Sequence, residues 1–442
     1  MNCYAKKSNF WGSHHTGIAF LIIFFGTVFY KFRPKETVIE FAMFNGSNWG
    51  VAVKESYSVI DSAIEKFEKE HKGIKIRYES GIPKEDYSEW MAKRVLKDEM
   101  PDVFMVLDDD FENYINLGLI EKLDGYVDGD KSFDINKYYS EIANSGVFER
   151  HRYALPYEAM PTLMFVNRTL LENLHLNIPE NNYTFEDFYK VCRMVTLDRD
   201  LDGNPDYFGI YRYDWINAAL SNGVTLFTED GKNSYFNQES LADAIRFVKS
   251  LEDLNGNQNV TKEEFDSGKV AFSQMSLAEY RTYKSYPYKI KKYTGFAWDC
   301  IPMPAGKTGN NVSMVDSLNV AISAKSKKKK LAWEFLKTLS YDTQIQQKLY
   351  NDMPVASVLK EVMESRESEN IFKENEDIID SKLICQILEN GSAKPRFSGY
   401  EDAIALADSK ISNLNQGDDI ENALRILQRQ MSKYLLQERG KE

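Results

Sequence analysis

Apolar residues follow two periods along this chain. Residues 38–44 (Val-Ile-Glu-Phe-Ala-Met-Phe) are nearly continuously apolar and predict a strand, and 59–71 carries Ile60, Ile64 and Phe67 at helical spacing. Residues 74–78 alternate as a strand does, 87–96 predicts a second amphipathic helix, and 103–107 is a fully apolar, central strand. Strands separated by helices in this rhythm imply a parallel sheet with right-handed crossovers, where ligands gather at the carboxyl ends of strands. Two loops fall at such ends, 45–49 and 108–110. Asp108, Asp109 and Asp110 suit a helix N-terminus, whereas Trp49 in a polar Gly-Ser-Asn loop has little core to join.

Residues 153–167, Tyr-Ala-Leu-Pro-Tyr-Glu-Ala-Met-Pro-Thr-Leu-Met-Phe-Val-Asn, read as extended. Pro156 and Pro161 lack a backbone donor, so neither a helix nor a central strand is expected through them; 163–166 predicts a buried strand. The stretch is either a strand-like hinge beside a cleft or an ordinary loop and strand in one large domain. Beyond it, Thr184 and Asp187 form an approximate capping box for a helix over 185–195, and helices are expected over 215–221, 239–254 and 265–274. Residues 296–301 predict a strand interrupted by Asp299 and ended by Pro302 and Pro304, and 317–323 a strand in strict alternation. Lysines 325–330 lead into a helix over 331–339, and Ile420, Leu424, Leu427, Met431 and Leu435 form the apolar stripe of a tail helix.

Between these elements, Asp198, Asp200, Asp202, Asn204 and Asp206 fall at alternate positions around the turn residue Gly203, as in the first half of a calcium loop. Gly209 stands where an EF-hand needs a bidentate Glu, so the choice is a weaker, partly hydrated calcium site or an Asp-rich surface turn.

A chain of 442 residues exceeds one ordinary core, so two domains or more are expected. A net charge of −12 argues against a nucleic-acid groove. Cys3, Cys192, Cys300 and Cys385 have no metal-ligand spacing and read as free thiols, a disulfide among the last three being the less favoured alternative. Residues 16–30 are strongly apolar and follow Lys6 and Lys7, with no small-x-small cleavage site after them. An uncleaved N-terminal membrane anchor is favoured over a cleaved signal, and the remaining chain is expected to be exported.

Five stretches, in order, carry a resemblance: 67–78 (Phe-Glu-Lys-Glu-His-Lys-Gly-Ile-Lys-Ile-Arg-Tyr); 100–123 with Met-Pro-Asp-Val-Phe, Tyr114, Gly118-Leu-Ile and Leu123; 153–167; 265–272 (Phe-Asp-Ser-Gly-Lys-Val-Ala-Phe); and Ile301-Pro-Met-Pro with Ala332-Trp-Glu-Phe-Leu. Their order and spacing from about 38 to 350 resemble the family 1 extracellular solute-binding proteins of ABC importers, the maltose-binding-protein-like group. The resemblance implies an α/β, two-lobed periplasmic-binding-protein-like fold of class II. One lobe takes 37–157 plus 312–347, the other 158–311 plus 348–442, and 1–36 is the tail and anchor. It also implies an oligosaccharide held by aromatic faces and polar groups of both lobes, with Asn45, Trp49, Asp108, Asp109, Tyr157, Trp215, Glu279 and Tyr280 as ligand-facing candidates. A monomer at the outer face of a bacterial membrane, serving an ABC permease, follows, and related calcium loops strengthen the reading of 198–206.

Three departures stand out. The family's Trp near 275–277 is missing or shifted to Tyr280, Asp316 and Ser317 replace hinge glycines, and the lipoprotein cysteine is absent. The alternatives are a ligand-sensing module for a receptor, a peptide-binding protein, and, less favoured, a glycoside-acting enzyme pairing Asp108 or Asp109 with Glu279. No nucleophile elbow, catalytic His cluster or phosphate loop supports an enzyme.

Overall fold

The computed structural model describes residues 36–53, 57–256, 258–284, 295–373, 379–397, 399–415 and 417–439, so the N-terminal anchor reading lies outside the described residues. Among them no helix is long and apolar enough to cross a membrane. The strands are β1 (Thr37–Ala42), β2 (Ile74–Tyr78), β3 (Val103–Val106), β4 (Val147–Phe148), β5 (His151–Arg152), β6 (Ala154–Asn167), β7 (Phe208–Ile210), β8 (Val270–Ser276), β9 (Trp298–Ile301) and β10 (Val315–Ile322). β4 and β5 form a small hairpin, and the rest run in the order β2-β1-β3-β10-β6-β8-β7, with β9 also on β6.

β1 pairs in parallel with β2 and β3, joined by the helices Ser58–Glu70 and Lys84–Leu96, as the periodicity predicts. β6 then does two jobs. Residues 154–161 pair antiparallel with β10, and 162–167 pair antiparallel with β8 and β9. It is thus a central strand running through both prolines, contrary to expectation. Each proline sits where a missing donor costs least: Pro156 faces the bulge between Leu318 and Asn319, and Pro161 lies where β6 changes partners.

Side-chain parity along β6 separates two apolar clusters. Leu163 and Phe165 join one that runs from β1–β3 and β10 to Val270 and Met275 of β8 and Trp298 and Cys300 of β9, while Met164 and Val166 join the one under the helices Phe185–Val195, Glu239–Leu254 and Ile420–Arg439. The tail helix buries Ile420, Leu424, Leu427, Met431 and Leu435, the stripe read from the sequence. Thr184 and Asp187 make a full capping box.

Two expectations change. Residues 265–274 are not one helix: a short helix, Lys262–Asp266, stops at Gly268 (φ +79°), where a Cβ would lie 2.5 Å from the Phe296 ring, and β8 follows. Residues 348–442 do not stay together either. Helices Thr343–Asp352 and Ser381–Asn390 bury Ile345, Leu349, Ile384 and Leu388 in the first cluster, with Gln346 Nε2 donating to the Tyr157 carbonyl (3.1 Å); Tyr400–Ile411 and the tail helix join the second. The described cysteines, Cys192, Cys300 and Cys385, form no disulfide with one another.

Candidate functional site

Because β1 and β3 are parallel neighbours, their carboxyl ends deliver the 43–50 loop and the helix Asp108–Asn116 to one edge of the sheet, where β6 and β10 pass. Trp49 is half-buried there, its backbone amide held by Ser47 Oγ (3.0 Å). Its indole Nε1 donates to Glu158 Oε2 on β6 at 2.7 Å. Lys84 Nζ donates to the Asn48 carbonyl (2.9 Å), fixing the same loop. Burial pushes the Glu158 carboxyl up to about 7, against the indole bond and the Lys84 charge, which pull it down.

The aspartate triplet divides its work. Asp110 accepts from Ser88 Oγ (2.6 Å) and Asp109 is exposed. Asp108 meets Arg396 (2.9 Å) and Lys394 (3.1 Å), two cations on a strap over 392–397. The strap is tied to the start of β10, Ser392 N donating to the Ser313 carbonyl and Val315 N to the Ser392 carbonyl, each 3.0 Å. Arg396 also donates to the Ser317 carbonyl (2.8 Å) and lies over the Phe111 ring, and Lys394 reaches Glu401 (3.0 Å). Burial works against the Lys394 charge, but Asp108, Asp316 and Glu401 outweigh it and hold the ammonium above its usual range. A cavity of about 250 Å³ opens here, walled by Asp108, Asp109, Pro395, Phe397, Tyr400 and Glu401. Beside it a cavity of about 340 Å³, with Leu220, Val224, Phe227 and Met314 in its walls, shares Lys394, Pro395 and Tyr400.

The structure therefore brings Asp108 and Asp109 together with Lys394, Arg396, Tyr400 and Glu401, places Asp316 within reach of their charges, and pairs Trp49 separately with Glu158. The Lys-Pro-Arg-Phe run at 394–397, two cations around a proline, was the available signal for the strap. Other expected residues serve elsewhere. Tyr157 is 3% exposed and is the extra β6 residue at the bulge, between Pro156, which pairs with Asn319, and Glu158, which pairs with Leu318. Trp215 is a core residue whose Nε1 donates to Asp408 (3.1 Å), and Tyr280 is a core residue edge-on to Trp298. Glu279 caps its own helix by accepting from Ser276 N (2.9 Å). Asn45 is exposed and pairs through its backbone amide with the Ile82 carbonyl (2.6 Å).

In the 198–206 loop, carboxylate oxygens of Asp198, Asp200 and Asp206 lie within 4.8 Å of one another, and Asp198 Oδ1 is buried without a hydrogen-bond partner. These three could hold a hard cation. Asp202 is not in this group; its Oδ1 accepts the Asn204 backbone amide (2.8 Å) and helps close the turn.

Residues 52–342 match the model of the bacterial extracellular solute-binding protein family. A multiple sugar-binding protein of Streptococcus mutans is 24% identical over 331 residues, 71% of this chain and 75% of that protein. Among solved structures, the sugar-binding protein MalE of Xanthomonas citri superposes with a TM-score of 0.74 at 16% identity, covering 91% of this chain and 98% of its own. The cyclic α-maltosyl-1,6-maltose binding protein of Arthrobacter globiformis gives 0.75 at 14%, covering 91% and 99%. The fold is the two-lobed one of these proteins.

Proposed function

The chain belongs to the bacterial extracellular solute-binding proteins, and from that premise we propose that it captures an oligosaccharide between its lobes and hands it unaltered to an ABC importer. The observation that carries this reading is the cavity walled by Tyr400, Asp109 and Glu401, with the Trp49–Glu158 pair at the carboxyl end of the neighbouring β1. A sugar offers C–H faces to aromatic rings and hydroxyl rims to carboxylates, and this arrangement supplies both. The names of the relatives, multiple sugar-binding and MalE sugar-binding, point the same way.

In this reading the protein is a monomer that closes by bending at β6, β10 and the strap, and the ligand stabilises the closed form through contacts made only there. The N-terminal segment tethers it to the outer face of the membrane, and a calcium ion held by Asp198, Asp200 and Asp206 stiffens the second lobe without touching the ligand.

Calorimetry against maltotetraose, cycloalternan, cyclic α-maltosyl-1,6-maltose and a tripeptide panel tests the ligand class. Binding of a glycan is expected, with Trp49→Ala weakening it by about 2 kcal/mol. Binding of peptides alone, or cleavage of a glycan, would overturn the reading. For the metal, ~1 mM calcium is expected to stabilise the protein by about 1.4 kcal/mol if the site has a Kd of ~10⁻⁴ M. Asp198→Ala should abolish the gain; equal melting temperatures in calcium and in chelator would exclude the ion.

A further inference from the structure

Asp316 on β10 faces Met160 in register, and Leu318 faces Glu158, so Asp316 and Glu158 project from the same face of the paired crossing strands. Glu158 meets Trp49 on that face, and the charges acting on Asp316 are those of Lys394, Asp108, Arg396 and Glu401, all in the wall of the 250 Å³ cavity. Yet Asp316 Oδ1 is shut off from solvent and accepts no hydrogen bond. The cations beside it are ion-paired to other groups, although Arg396 Nη1, like Asp316 Oδ1, is buried without a hydrogen-bond partner. Lys394 contacts Asp108 and Glu401, and Arg396 contacts Asp108 and the Ser317 carbonyl. A buried carboxylate oxygen with no donor is uncommon in folded proteins and asks for one from outside the chain.

Resting on the oligosaccharide reading above, we propose that Asp316 is a ligand-contacting, specificity-determining residue whose free Oδ1 accepts a hydroxyl of the bound sugar. The residue sits on a hinge strand, so bending there would uncover this oxygen and closing would shut it against the guest. A neutral hydroxyl suits the position better than a charged group, because the neighbouring cations and carboxylates already offset one another. A site built around a substrate hydroxyl rejects guests that lack it, since its own acceptor is then left unpaired.

The test compares wild type with Asp316→Leu, which keeps the forked shape, though larger, without an acceptor, and Asp316→Asn, which keeps an oxygen but loses the charge. Affinity for maltotetraose, cycloalternan and cyclic α-maltosyl-1,6-maltose is measured by calorimetry, and stability without ligand by thermal melting. The expected result is a loss of about 100-fold in affinity for Asp316→Leu and a smaller loss for Asp316→Asn, with ligand-free melting temperatures equal to or above wild type, because an unpaired buried acceptor has been removed. Wild-type affinity in Asp316→Leu overturns the assignment of Asp316 and leaves the oligosaccharide reading standing. A lowered ligand-free melting temperature in both variants makes Asp316 structural and also overturns it. If wild type binds none of the three glycans, the oligosaccharide reading fails and the assignment falls with it.

Discussion

Arg396→Ala is expected to destabilise the protein by about 3–5 kcal/mol, the range for removing one partner of a buried ion pair. The guanidinium is only 8% exposed and makes three contacts at once, with Asp108 at 2.9 Å, the Ser317 carbonyl at 2.8 Å and the face of Phe111. Truncation takes the donor from a buried carbonyl and the packing from a ring, and it leaves Asp108 with Lys394 alone. Because Asp108 is 24% exposed, some of its charge is solvated, and the lower end of the range is the better expectation. A double-mutant cycle with Asp108→Ala, read by urea unfolding, checks the pairing. The double variant should cost at least ~1 kcal/mol less than the sum of the singles, since removing both ends leaves no isolated charge. Additivity within ~0.5 kcal/mol would show that the two residues do not act on each other. The penalty should also persist at high salt, because buried pairs are screened far less than exposed ones.

This interaction shows where the sequence stops being readable. Periodicity placed β1, β2 and the helices between the strands because each has a buried side and a solvent-facing one, and β3 because it is buried on both. The helices Trp215–Ser221 and Glu239–Leu254 and the capped Phe185–Val195 were legible for the same reason, amphipathic spacing plus cap chemistry. β6 is different. Thirteen of its fourteen residues are buried, so both faces look alike and nothing in the sequence says whether Tyr157 or Glu158 turns toward the cleft. Tyr157 falls at the bulge opposite Leu318 and Asn319, where alternation breaks down, and it is buried there while its neighbour Glu158 holds the Trp49 indole. Trp215 and Tyr280 failed for a related reason: an aromatic ring at a helix start fills a core as readily as a cleft, and only the contacts with Asp408 and Trp298 decide. The 265–274 stretch misled because apolar spacing across Gly268 fits a helix, whereas that glycine's positive φ ends one and lets β8 begin. The strap at 392–397 carries no periodic signal, and its cations acquire meaning only from the Asp108 brought to them by the fold.

Replacing Glu158 with Gln is expected to change how stability depends on pH. Burial raises the carboxyl from an ordinary 4.5 to about 7 in the folded protein, so between those values the folded state holds a proton that the unfolded chain has released. Stability contributed by this group is therefore full below about 4.5, declines as pH rises toward 7, and levels off above it; the total loss is on the order of 3 kcal/mol. Glu158→Gln cannot ionise, yet its side-chain oxygen can still accept the Trp49 indole proton. The variant should match wild type near pH 4.5 and exceed it by roughly that 3 kcal/mol at pH 8. Taking the difference between the two proteins at each pH cancels the other titrating carboxyls, including Asp130, whose pKa is lowered in the fold and whose contribution runs in the opposite direction. Trp49→Ala supplies a second check: it removes the N–H that favours the ionised form, so the Glu158 transition should move above pH 7. Urea unfolding at half-unit steps from pH 4 to 8 measures all three proteins, and parallel wild-type and Glu158→Gln curves across that window would show that this carboxyl is not held protonated by its burial.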